Sequence, residues 1–352
     1  MKIVMVAGGS GGHIYPALAL AEELETRGHE ITFLGSKDRM EKDVIPAAGF
    51  PYIGLDVYTT RGGLLQKVKS LSSIVLSYRK CLKLLKGYDL AIGFGNYISV
   101  PVLLAAVKLG MKTVIHEQNS FVGRANRVLD QKVDLIISSY EEDKTQFKNP
   151  NNLVLGNPQM SKAYKVKKDP KILEEMGFSP EKKTVVIFMG SLGSESVNKE
   201  LLRYFELSSG DYQIVYATGK SNYAYTTEHA PKKDHLRIYE RIDGAAVMKN
   251  ADLLISRAGA TTLCEIAAIG IPSILIPSPF VPNNHQYYNG KALVDKDAAV
   301  MIEEKDLTAE KLNDLVNEII HDDARLKQLG ENAKAMGNEH VLENIVEAIE
   351  HL

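Results

Sequence analysis

Residues 2–24 read KIVMVAGGSGGHIYPALALAEEL. An apolar run passes through four glycines and a serine into a helically spaced run, so strand, glycine turn and helix follow in that order. Glycine at such a turn lets backbone approach something closely or take φ > 0. The two familiar nucleotide loops do not fit. A G-x-G-x-x-G fingerprint counted from Gly9 needs its third glycine at Ile14. A P-loop counted from Gly8 needs glycine at His13 and lysine after it. The turn still places helix N–H groups, and the positive end of the helix dipole, where an anion or a sugar can sit. A tight turn with a surface histidine reads the same way on this stretch alone.

Outward from this unit the same alternation continues, the pattern of a parallel α/β sheet. In the first half the expected strands are KIVMVA, EITFLG, PYIGLDV, LAIGFG, KTVIHE and LIISS, with a helix PALALAEELETRG stopping at Gly28. Around LVLGNPQMSKAYKVKKDP (153–170) the pattern gives way to Gly, Asn, Pro and lysines, a linker signature. It then restarts with TVVIFMG, YQIVYATG, LRIYERI, DLLISRAG, PSILIPS and AAVMIEE, and from Thr308 the tail is helical. The expected architecture is α/β, with two Rossmann-like domains facing across a cleft. Sites then belong to the loops after strands. Most of those loops carry small polar residues: GGSGGH, GFGNYISVP, HEQNS, GNP, MGSLGSES and SRAGATTLCE.

Composition sets the class. At 352 residues, 45% hydrophobic and 24% charged, the chain has room for about two ordinary globular domains. The net charge of −2 argues against broad nucleic-acid binding. It conceals an asymmetry, because residues 1–157 hold 19 Lys+Arg against 15 Asp+Glu and the remainder 23 against 29. Two cysteines, Cys81 and Cys264, and no secretory leader predict a reducing cytoplasm. The uncharged stretch Ile266 to Val281 contains prolines and cannot be a spanning helix.

Several clusters have both a chemical and a plain reading. In SRAGATTLCEIAAIGIP (256–272) a helix is expected to begin near Thr261 or Thr262, its first N–H groups suited to phosphate and Glu265 to two ribose hydroxyls. Thr262-Leu-Cys-Glu265 also spells a capping box, in which both side chains only satisfy backbone donors. In TVIHEQNS, His116 and Glu117 suit acid/base chemistry or a structural hydrogen bond at a strand end. Asp295-Lys-Asp297 spells D-x-D but follows a helical stretch, and reads as solvated surface. No Cys/His cluster has zinc spacing, and there is no G-x-S-x-G elbow. Residues 57–88 carry seven basic residues and no acidic one, interleaved with Leu, Ile and Val, either a membrane-surface segment or a crossover helix with a basic face.

Taken in order, GGSGGH, HEQNS, GNP, GSLGS, ISRAGATTLCEIAAIGIP and NNHQYYN resemble the bacterial peptidoglycan N-acetylglucosaminyltransferases that form lipid II, which are GT-B glycosyltransferases. The resemblance spans nearly the whole chain. It implies transfer of GlcNAc from UDP-GlcNAc to the C4 hydroxyl of MurNAc in lipid I, with inversion and with no metal or cofactor. It also implies an acceptor-binding, membrane-facing domain over 1–160, a UDP-GlcNAc domain over 161–335, and a helix at 336–352 packing back on the first domain.

By the same resemblance, Ser10, Gly11 and Gly12 face donor sugar and acceptor diphosphate. His13 is catalytic base or acceptor ligand, with Tyr97, His116 and Glu117 on the acceptor side and Glu117 a second catalytic candidate. Asn119 and Gln286 touch the GlcNAc, Ser191 the donor diphosphate and Ile242 the uracil. Ala260, Thr261, Thr262, Leu263, Cys264 and Glu265 form the donor helix start, which favours the ribose role for Glu265 over the box. Gln159 and Met160 stand where the family often has arginine. Asn96 interrupts a usual Gly-Gly-Tyr, Met189 replaces a glycine and His285 a glutamine. Expected partners are UDP-GlcNAc, lipid I, an anionic membrane surface and other cell-wall synthesis proteins, at the cytoplasmic side of the membrane as a peripheral protein. A UDP-GlcNAc 2-epimerase relative, or a non-catalytic UDP-sugar sensor, is the alternative.

Overall fold

Apolar runs without alternation mark strands covered on both faces, and Ile3, Val4, Met5 and Val6 are all fully buried. The computed structural model describes residues 1–58, 64–190 and 193–352, the side chains of 64–69 excepted. Ser191 and residues 59–63, with the side chains of Lys67 and Lys69, therefore lie outside the described residues.

The chain divides into two compact units, Met1–Ser161 with His340–Leu352, and Lys162–Glu339. In the first unit β1 (Lys2–Val6), β2 (Glu30–Ser36), β3 (Tyr52–Leu55), β4 (Leu90–Gly93), β5 (Lys112–Glu117), β6 (Leu135–Ser138) and β7 (Asn152–Val154) form one sheet. Its order is β3-β2-β1-β4-β5-β6-β7, parallel throughout. In the second unit β8 (Thr184–Phe188), β9 (Gln213–Ala217), β10 (Leu236–Tyr239), β11 (Leu253–Ser256), β12 (Ser273–Leu275) and β13 (Val300–Met301) run β10-β9-β8-β11-β12-β13, again parallel. The strand order reverses at β1/β4 in one sheet and at β8/β11 in the other. At such switch points adjacent loops part, leaving a crevice at the carboxyl ends of the strands. The α/β fold expected from the alternation is the one observed.

Three local expectations change. The first helix runs Gly11–Thr26 with Ser10 at its cap and Pro16 inside it, so it starts five residues before Pro16. Two glycines at the start disguise it, since glycine is a poor helix former. The supposed linker opens on a strand, β7, three half-exposed or exposed residues at a sheet edge, and continues into a helix Gln159–Lys165. The terminal helix Val341–Glu350 buries Val341, Leu342, Ile345 and Val346 in the core that holds Ile3, Met5 and Leu20. Residues 336–339 cluster with the second unit.

Candidate functional site

In the first unit the glycine turn after β1 is packed from behind. Glu41, fully buried, accepts from Gly9 N at 3.1 Å through Oε2, and from Ser36 N at 3.1 Å and Ser36 Oγ at 2.5 Å through Oε1. A Cβ on Gly8 would stand 2.5 Å from Glu41 Oε1, and one on Gly9 (φ +86°) 2.1 Å from Asn96 Nδ2. These two glycines thus make room for the protein's own carboxylate and amide. Asn96, itself at φ 66°, donates to Gly8 O at 2.8 Å and accepts from Tyr97 N at 2.6 Å. It fills the place of the usual glycine by adopting the left-handed conformation that Asn tolerates. The helix donors left to a ligand are the N–H groups of Gly11 and Gly12, because His13 N is bonded to Ser10 O.

His13 follows directly. Ser10 Oγ and His13 Nδ1 are 3.0 Å apart, so the serine hydroxyl orients the imidazole instead of capping the helix. The ring lies against Gly95 (φ +76°), whose Cβ would approach His13 Cδ2 to 3.4 Å and Asn126 Nδ2 to 3.8 Å. His13, Gly95 and Asn126 thus converge.

His116 and Glu117 have structural work. His116 Nε2–H donates to Gly156 O at 3.0 Å, Nδ1 accepts from Gln118 Nε2 at 3.1 Å, and the ring stacks on Phe94 at 5.4 Å. Burial drives its pKa down to about 4, with nearby His13 acting the same way, so the ring is neutral. Both nitrogens have partners within the protein. Glu117 is 2% exposed. Its Oε1 accepts from Asn119 N (3.1 Å) and Asn119 Nδ2 (3.3 Å), its Oε2 from Gly123 N and Asn126 Nδ2 (both 2.9 Å). Burial pushes the carboxyl pKa up against the pull of these donors. Four donors occupy four lone-pair sites, so Glu117 holds Asn119, Gly123 and Asn126 in place. Asp143, also buried, is lifted to about 9 by burial and by the Glu117 charge.

In the second unit a cavity of about 640 Å³ opens beside the loops after β8 and β11. The helix Ala260–Ile269 is capped by Gly259, with no side-chain cap. Thr262 is therefore inside the helix, and the capping box is not formed. Gly259 and Thr262 line the cavity. Leu263 N already bonds Gly259 O, and the Leu263 and Cys264 side chains are 1% and 5% exposed. That removes both from the set of ligand donors, which shrinks to the N–H groups of Ala260, Thr261 and Thr262. The Cys264 thiol points back to Thr261 O at 2.9 Å, and burial raises its pKa. Glu265 is half-buried one turn in, and Ile242 half-buried against the core that contains Val247 and Leu263. Gln286 lines the cavity and accepts from Ser278 N at 2.8 Å, which fixes its amide.

Arg257, 7% exposed, forms the cavity wall between these loops. Its Nη1 donates to Ile276 O at 3.0 Å and its Nη2 to Ser194 Oγ at 2.5 Å. Glu304 Oε2 lies 2.6 Å from Nη2 as an ion pair outside hydrogen-bond alignment, while Glu304 Oε1 accepts from Ser196 Oγ at 2.5 Å. The D-x-D carboxylates are surface groups: Asp295 pairs with Lys291 (2.6 Å) and Asp297 with Arg325 (2.8 Å). Among the described residues no group of His, Cys, Asp and Glu has the arrangement of a metal site.

The N-terminal domain model of glycosyltransferase family 28 matches residues 3–138 and the C-terminal domain model residues 184–345. The UDP-N-acetylglucosamine–N-acetylmuramyl-(pentapeptide) pyrophosphoryl-undecaprenol N-acetylglucosamine transferase of Bacillus subtilis is 34% identical, over 100% of this chain and 99% of its own. The chain belongs to this glycosyltransferase family. The same-named transferase of Finegoldia magna is 37% identical over 100% of this chain and 98% of its own. The crystal structure of Acinetobacter baumannii MurG superposes with a TM-score of 0.80 at 26% identity, covering 100% of this chain and 99% of that one. A UDP-N-acetylglucosamine 2-epimerase structure, TM-score 0.68 at 15% identity over 99% of this chain and 95% of its own, shares the fold alone. The fold is thus that of the GT-B glycosyltransferases.

As a family member the chain carries groups that its motifs do not announce. Glu41, Asn126 and Arg257 hold the family's glycine loops and the 119–126 loop, through partners 32, 9 and 63 residues away. A buried charge inside or beside a glycine motif is the signal available from sequence, and Arg257 in SRAG shows it. Met160 does not replace the missing arginine, since it packs on the first unit's core.

Proposed function

We propose that the chain moves GlcNAc from UDP-GlcNAc to the C4 hydroxyl of MurNAc in undecaprenyl-diphospho-MurNAc-pentapeptide, lipid I, giving lipid II. End-to-end likeness to transferases of that name carries the reading. The cavity at the start of helix Ala260–Ile269, lined by glycines, hydroxyls, Lys199 and Arg257 among others, supports a diphosphate-linked donor in the second unit. The acceptor falls to the first unit, around His13, Gly95 and Tyr97, and Asn119 is kept for the GlcNAc of the donor. In a single displacement O4 of the acceptor bonds C1 of GlcNAc, the bond from C1 to the β-phosphate oxygen breaks, and the configuration inverts. The O4 proton passes to His13 as base, and UDP leaves with its charge held by the N–H groups of Ala260–Thr262. Those dipoles do electrostatically what a divalent cation does elsewhere, so no metal is required. Incubation with labelled UDP-GlcNAc and a short-chain lipid I analogue in EDTA should yield labelled disaccharide lipid. UDP-GlcNAc binding without turnover on any acceptor would indicate a sensor instead, and activity that needs added Mn²⁺ would refute metal independence.

Glu265 takes the ribose hydroxyls. It stands half-buried one turn into the helix whose start lines the cavity. Glu265→Ala should raise the donor KM about tenfold or more, from two hydroxyls losing about 1–3 kcal/mol each at most. Discrimination against deoxyribose donors should shrink with it. A thermal shift with unchanged KM would assign the residue to helix stability.

The first unit also carries the means to meet an anionic membrane. Among the described residues no helix is long and apolar enough to cross a membrane. On the helix Leu64–Leu84, Leu71, Val75 and Leu76 are 64%, 44% and 64% exposed, with exposed Arg79 and Lys80 one turn beyond Val75 and Leu76, then Lys83, and Lys86 in the turn that follows. Each basic residue contributes about 1 kcal/mol near anionic lipid. Replacing Lys80, Lys83 and Lys86 by glutamate should weaken binding to phosphatidylserine vesicles on the order of 10²-fold and lower activity on long-chain lipid I. Activity on a water-soluble acceptor should persist. Residual binding should resist salt, because the apolar contribution is unscreened. Equal loss on both acceptors would return this face to an ordinary crossover helix.

A further inference from the structure

One side chain at the second unit's cavity is left without a task by the reading above. Phe280 is 78% exposed, the most of any large apolar side chain among the described residues, yet it lines the cavity beside Ser278 and Gln286. Its ring therefore forgoes hydrophobic burial. The segment that carries it is held in place. Pro277, Pro279 and Pro282 restrict φ around it. Ser278 N donates to Gln286 Oε1 at 2.8 Å, Phe280 N to Ser278 Oγ at 3.4 Å, and His285 Nδ1–H to Pro282 O at 2.9 Å. A pinned loop thus presents a bare aromatic face over a cavity whose other described walls are mostly glycines, hydroxyls, an amide and charges.

A pyranose needs both kinds of wall. Its hydroxyl edges ask for polar partners, and its C–H face, like an acetamido methyl, asks for an apolar one. Gln286 supplies the first kind, and Phe280 is the only aromatic ring among the cavity's described lining residues. We infer that Phe280 is a specificity-determining residue for the sugar half of the donor, its ring covering the C–H face and acetamido methyl of the hexosamine. The inference rests on the transferase reading above. The nucleotide half is left to the helix start and Glu265, so the ring should distinguish UDP-sugar from UDP.

Calorimetric binding of UDP and of UDP-GlcNAc to the full chain separates these roles. Wild type should bind both, and binding of neither would sink the transferase reading before any variant is made. Phe280→Ala should weaken UDP-GlcNAc roughly tenfold while leaving UDP within about twofold, and Phe280→Trp should restore most of the loss. Retained UDP binding doubles as the folding control. Equal weakening of both ligands, no change in either, or loss of both ligands in both variants would overturn the assignment.

Discussion

Replacing His13 by alanine is expected to lower kcat about 10²–10⁴-fold at saturating acceptor, with UDP-GlcNAc affinity nearly unchanged. The imidazole has the setting of an oriented base: Ser10 Oγ stands 3.0 Å from Nδ1, and a glycine at φ +76° gives the ring its place. Orientation by a second group is the usual support of a proton-accepting histidine. Ser10→Ala keeps the base and loses its support, so its kcat should fall between those of wild type and His13→Ala. Steady-state kinetics on a short-chain acceptor measures both. Near-normal turnover in His13→Ala would move the base elsewhere in the first unit. Glu117 is the first residue to test in that case, although its lone pairs are shared among Asn119, Gly123 and Asn126.

The second large effect concerns Arg257. Arg257→Met leaves Glu304 charged, with only 11% of its side chain exposed and no counter-ion. Breaking a buried pair from one side typically costs about 3–5 kcal/mol. In a unit of this size that is on the order of a 10 °C fall in Tm, measurable by calorimetry. Donor binding should fall as well, since Ser194 loses the guanidinium that anchors its loop. The double variant Arg257→Met with Glu304→Met should recover much of the stability, because it leaves no lone charge, while donor affinity stays low. Full recovery of both would make the pair a packing feature. A single variant as stable as wild type would mean that Glu304 finds water.

The alternation of apolar runs with helical ones was enough to place both sheets, because strands covered on both faces have little freedom in composition. β7 leaves no such mark, because its three residues NLV, half-exposed or exposed at an edge, have no period to read. The first helix begins before its pattern shows, because its opening turn is glycine and its apolar spacing becomes visible only beyond Pro16. Around the sites the local motifs indicated the right loops but not each residue's task. The strand-end pair His116 and Glu117 divides its bonds among Gly156, 40 residues on, and Gln118, Asn119, Gly123 and Asn126 of the following loop, and bonds made largely to backbone groups and loop amides leave no pattern of residue types to read. The capping box failed for a simpler reason. Gly259 takes the cap three residues earlier, and a backbone decision of that kind is invisible in the spacing of Thr262 and Glu265.

The return of His340–Leu352 to the first unit has a consequence for the order in which the protein is made. Leu342 N donates to Ser161 Oγ at 3.1 Å across 181 residues of sequence. Val341 packs to 3.0 Å of where a Cβ on Gly156 would stand, and Val341, Ile345 and Val346 seal the core around Ile3 and Met5. A chain leaving the ribosome from its N-terminus therefore begins this unit first and closes it last. The second unit has all of its own residues beforehand and can fold while the older half still shows an open hydrophobic flank. Domains usually fold in order of emergence; here the earlier one must wait. Trimming residues 340–352 would accordingly unseat the beginning of the chain, and an incomplete nascent chain would offer its unsealed flank to a chaperone until the terminal helix arrives.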